Sequence, residues 1–136
     1  MGVDIKGSHK GSPSFTFGAG QFANLRQNVA KAILGDRISI YTEWLATDEQ
    51  TPKDKLSRKC RALYDAIGDA AYNFVVQSDC EGKLTIKQTR ELYEAIKNKP
   101  GNWSLRYLFY QKPENKNDFI ELLRSCTENK SKLVWY

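Results

Sequence analysis

Asp79 and Glu81 are the residues of this chain whose types and spacing come nearest to chemistry, two carboxylates in the polar run Gln77-Ser78-Asp79-Cys80-Glu81-Gly82-Lys83-Leu84. Such a pair could hold a hard cation or move a proton. In a calcium loop Gly82 and Leu84 would match the sixth and eighth positions, but the first position is Gln77 and the twelfth is Gln88. The leading carboxylate and the bidentate Glu are both missing, and calcium takes about six to eight oxygens. No metal, cofactor or catalytic residue is assigned. The run reads as a joint between two helices and a candidate interaction loop made of Ser78, Asp79, Glu81 and Gly82. Ser78 or Asp79 would bond the turn amides, and Gly82 would supply a positive backbone angle.

Other constellations point to chemistry less directly. The single histidine, His9, lies in the glycine-rich stretch Lys6 to Ser12, which lacks the Gly-Lys-Ser/Thr ending of a phosphate loop. It reads as a mobile loop with no nucleophile fixed beside the imidazole. Gly18-Ala19-Gly20-Gln21-Phe22-Ala23 matches Gly-x-Gly-x-x-Ala between a strand and a helix, yet successive βαβ units are missing and the nearest acid, Asp36, precedes any second strand. It reads as a turn and helix start. Cys60, Cys80 and Cys126 form an odd set without a Cys-x-x-Cys pair, so reduced thiols are expected, with Cys60 and Cys126 in the core.

The formal net charge of +5 permits attraction to nucleic acid or to acidic partners. Its densest source is Lys53, Lys55, Arg58, Lys59 and Arg61, a candidate nucleic-acid face that also fits the solvated side of a helix. Trp103, Tyr107, Phe109, Tyr110 and Trp135, with Arg106 and Lys112, could stack bases, although a domain of this size needs such side chains inside.

The elements that must position these residues follow from periodicity. Leu56, Cys60, Leu63, Ile67, Ala70 and Phe74 recur at helical steps, predicting one long pillar helix from Lys53 to about Gln77, capped by Thr51 with Pro52 at its first position. Thr85-x-x-Gln88 is a capping box opening the next helix, which runs to Lys97. Phe22, Leu25, Val29, Ala32 and Ile33 predict a helix from Gln21 to Gly35, and Ile38 to Leu45 a shorter one. Phe119, Leu122, Leu123 and Cys126 predict a last helix over about 117–129, while residues 103–110 lean to helix. Val3 and Ile5, Phe15 and Phe17, and Leu133 to Tyr136 alternate as strands, which predicts a three-stranded sheet built from both chain ends.

The chain has 136 residues, of which 40% are hydrophobic and 27% charged, ordinary for one globular domain. No apolar run approaches the roughly 20 residues of a membrane span, and no signal-peptide core opens the chain. A cytoplasmic protein is expected. Met-Gly-Val-Asp-Ile, Phe15 to Phe17, Ser78 to Gly82 before a capped helix, and the closing Leu-Val-Trp-Tyr together resemble a family of small uncharacterised bacterial and phage proteins. The likeness spans the chain except for Pro100 to Lys116. It implies a bacterial or mobile-element origin and transfers no catalytic residue. The expectation is an α+β, helix-dominated single domain over residues 1–136, with about five to six helices. Its expected role is a non-catalytic binding or adaptor module with a protein partner; the alternative is a nucleic-acid-binding accessory protein using the basic helix face.

Overall fold

The computed structural model describes residues 2–99 and 115–136 and shows an α+β domain dominated by helices. In chain order it runs β1 (Gly2–Gly7), β2 (Ser14–Gly18), α1 (Ala19–Leu34), a 3-10 turn (Gly35–Arg37), α2 (Ser39–Leu45), α3 (Lys53–Ile67) and α4 (Asp69–Val76). Then follow β3 (Gly82–Lys83), α5 (Ile86–Ile96), α6 (Asn115–Glu128) and β4 (Leu133–Trp135). The sequence expectation for residues 103–110, and the aromatic cluster from Trp103 to Tyr110 with Arg106 and Lys112, lie outside the described residues.

The sheet is antiparallel with strand order β2-β1-β4-β3, so both chain ends meet at its centre, and the pairing Ile5↔Trp135 joins them. Period-two alternation explains its two faces. Val3, Ile5, Phe17, Leu133 and Trp135 are buried on one side, against which α1 and α6 pack, whereas Asp4, Lys6, Thr16 and Val134 occupy the other. The expected third strand from the C-terminus is present. A fourth, β3, comes from the joint that the sequence suggested was only a turn. Two residues carry no strand signal of their own; pairing with β4 alone makes Gly82 and Lys83 a strand.

The predicted pillar is two helices. Gly68 sits at φ 86° and ψ 166°, a backbone region essentially closed to other residues, so α3 ends there and α4 begins. Apolar periodicity runs across the break because both helices bury a face, and the stripe alone could not reveal it. Pro52, rather than Thr51, stands at the N-cap of α3, and the Thr51 hydroxyl instead accepts from the Asp48 N–H at 3.0 Å. The stripe is also uneven. Leu63, Ile67, Ala70 and Phe74 are buried, but Leu56 and Cys60 are only half-buried, which corrects the expectation of Cys60 in the core. Cys126 is fully buried.

Cap chemistry is as expected at α5. The Thr85 hydroxyl accepts from the Gln88 N–H at 3.0 Å and the Gln88 side chain accepts from the Thr85 N–H at 2.9 Å. At α1 the Gly18 N–H donates to Gln21 Oε1 at 2.7 Å, so the Gly-x-Gly-x-x-Ala stretch is a helix start. The core closes around Phe22, Phe74, Phe119 and Trp135, whose rings meet at centroid distances of 5.5 to 6.0 Å.

Candidate functional site

The turn between α4 and β3 is held almost wholly through its main chain. Trp135 Nε1 donates to the Ser78 carbonyl at 2.8 Å, and Arg26 Nη2 donates to the Gln77 and Ser78 carbonyls at 2.7 and 3.2 Å. Inside the turn the Ser78 hydroxyl accepts from the Cys80 N–H at 3.1 Å, the Asx-like role foreseen for Ser78 or Asp79. The Gln77 side-chain amide then pairs with Lys83 as a peptide would, donating to its carbonyl at 2.7 Å and accepting from its N–H at 3.0 Å.

Arg26 had no signal in the sequence beyond a polar position on α1. Its guanidinium lies 4.5 Å from the Phe22 ring centre, 5.8 Å from that of Trp135 and 6.0 Å from that of Phe74. Stacking on ring faces stabilises a buried cation that no carboxylate among the described residues neutralises by direct contact. Burial pushes the guanidinium down to about 10, with Tyr41 and Asp79 pulling the other way, so it stays charged at neutral pH. Its Nε is buried without a hydrogen-bond partner among the described residues.

Gly82 has a different role from the one expected. It is not among the glycines with positive φ; instead the Trp135 indole occupies the place where a β-carbon would stand. What is left outside this frame is the side chains of Asp79, Cys80 and Glu81, all exposed. Beside them an open recess of about 500 Å³ is lined by Gln77, Glu81, Gly82, Lys83, Val134, Trp135 and Tyr136. Ser78, Asp79, Glu81 and Gly82 are thus brought to one surface. No group of three or more His, Cys, Asp or Glu that could hold a metal occurs among the described residues.

Carboxylates stand among the cations of the basic face. Arg58 pairs with Asp54 at 3.9 Å, Lys59 with Glu43 at 3.4 Å and Arg61 with Asp65 at 3.3 Å, leaving Lys53 and Lys55 without an acidic partner among the described residues. Exposed pairs of this kind contribute little stability, and they place three carboxylates among the five cations. Cys60 lies instead in a shallow groove with Leu56, Ser57, Arg61, Tyr64 and Tyr72.

His9 is not in a free loop. Its Nδ1 is 2.6 Å from the Ser131 hydroxyl and its Nε2 is 3.1 Å from that of Ser125, tying the β1–β2 connection to the end of α6 and the approach to β4. The Ser8 N–H and hydroxyl engage Lys132 beside it. Sequence separation of more than a hundred residues hid these partners. Ser131 is buried, at 6% exposure, and burial raises the neighbouring Cys126 thiol, so neither of these two is an accessible nucleophile, while His9 and Ser125 are half-buried members of the same clasp.

Comparison with family models, with curated proteins and with solved structures returns no match to the chain. Function therefore has to be argued from the site. Its chemistry is that of presentation: two carboxylates and a thiol on a turn anchored by carbonyl contacts, next to a recess with an aromatic wall.

Proposed function

We propose that the chain is a non-catalytic binding or adaptor module that engages a protein partner through Ser78 to Gly82 and the adjoining recess. The observation that carries this reading is the way the turn is held. Arg26 and Trp135 grip its carbonyls, so Asp79 and Glu81 contribute little to holding the frame and are displayed by it. Rigid display lowers the ordering cost of association. Glu81 on the recess wall, with Asp79 exposed on the same turn, suits a lysine- or arginine-bearing segment through charge pairing at the rim, while the Tyr136 ring already carries Lys6 Nζ at 5.5 Å from its centre.

A photo-crosslinking residue in place of Cys80, in cells that make the protein, tests the proposal. An adduct to a partner that disappears in an Asp79→Asn, Glu81→Gln background with unchanged melting supports it. An adduct indifferent to those substitutions, or none, overturns it. The alternative reading, a nucleic-acid-binding accessory protein, has less support because three of its five cations are already paired. Salt-dependent binding of duplex or single-stranded DNA that fails on charge reversal at Lys53 and Lys55 would favour it. A bacterial or mobile-element origin rests on the sequence resemblance, and a cytoplasmic setting on the three unpaired cysteines.

A further inference from the structure

The two edges of the sheet are finished differently. At β3 the Gln77 amide takes both outward main-chain groups of Lys83, closing that edge as a further strand would. At β2 no such device exists among the described residues. Asp4 exchanges both of its main-chain hydrogen bonds with Tyr136, at 2.8 and 3.0 Å, so Val3 and Ile5 turn theirs to their β2 partners Phe17 and Phe15. Ser14 and Thr16 therefore point their N–H and C=O groups away from the sheet, while the Gly18 N–H is consumed by Gln21. Ser14-Phe15-Thr16-Phe17-Gly18 contains none of the charges, prolines or bulges that usually blunt an edge.

We infer that β2 pairs with β2 of a second copy of this chain, antiparallel about a twofold axis at Phe15. This register is the one that uses every open group. Ser14 faces Thr16 of the copy and Thr16 faces its Ser14, giving four main-chain hydrogen bonds and leaving neither residue unpaired. Phe15 meets its own copy in the close, non-hydrogen-bonded pairing, where an aromatic pair contributes most. The hydroxyl side chains of Ser14 and Thr16 lie opposite one another on the outer face, away from the helices. A second copy suits the edge because an uncharged strand sets no like charges opposite each other, even though each chain carries +5. The pairing joins two four-stranded sheets into one. A strand this short buries less than the roughly 1,200 Å² of a stable interface, so the dimer is weak and concentration-dependent.

Sedimentation equilibrium over a wide concentration range, on the wild type and two double variants, tests this. In Ser14→Lys, Thr16→Lys the register puts lysine against lysine twice, and self-association should weaken by roughly tenfold. In Ser14→Glu, Thr16→Lys it puts glutamate against lysine twice, so the dimer should persist. Both variants place the new side chains at exposed positions, but position 14 faces Lys6 and the Thr16 hydroxyl donates to Asp4 within the chain, so a cooperative melt in each variant, rather than an equal one, checks that the fold survives. A wild type that stays monomeric throughout overturns the inference. So does a pair of variants that associate alike, which would mean a different surface or register.

Discussion

At the scale of single residues, Trp135 does more than fill space. Its ring closes the aromatic core with Phe22 and Phe74, its N–H holds the Ser78 carbonyl, and its face lies where Gly82 lacks a side chain. The requirement for glycine at 82 is thus one of close approach, not of backbone angle. Gly82→Ala should destabilise the protein by about 1–3 kcal/mol in urea denaturation, because the methyl must displace a packed indole. In a Trp135→Leu background the same substitution should cost much less. Equal costs in both backgrounds would mean that the backbone, and not the ring, demands glycine.

At the scale of elements, the division between α3 and α4 depends on one residue. A β-carbon at Gly68 would meet nothing within 4 Å, yet its backbone lies where other residues are strained. Gly68→Ala should therefore cost about 1–3 kcal/mol without any collision. Gly20, in the first turn of α1, also has open space around it but has helical geometry. Gly20→Ala should instead stabilise by about 0.4–1 kcal/mol, mostly by restricting the unfolded chain. Denaturation of the two variants side by side separates backbone strain from packing, and a shift of the same sign in both would contradict the broken pillar.

At the scale of the whole molecule, β4 lies between β1 and β3 and carries Leu133 and Trp135 into the core, so the last four residues are structurally central. Deleting Leu133 to Tyr136 removes the pairing of β4 with both neighbours, leaving β3 without a partner strand, and one of the largest buried side chains. Truncating a buried Trp alone costs about 3–5 kcal/mol, a large part of a typical domain's stability. The truncated chain should lose its cooperative thermal transition, and calorimetry would show whether one remains. The sequence by itself determined much of this architecture. Period-two alternation at Val3, Ile5, Leu133 and Trp135, the apolar faces of α1, α5 and α6, and the Thr85 capping box are local signals that each element needs in order to form. Only the tertiary structure decided the rest: that Gly68 splits the pillar, that Gly82 and Lys83 are a strand, that His9 is clasped by Ser125 and Ser131, and that Arg26 anchors the candidate loop. These depend on partners distant along the chain, and periodicity carries no information about which distant residue will stand opposite a glycine, an imidazole or a guanidinium.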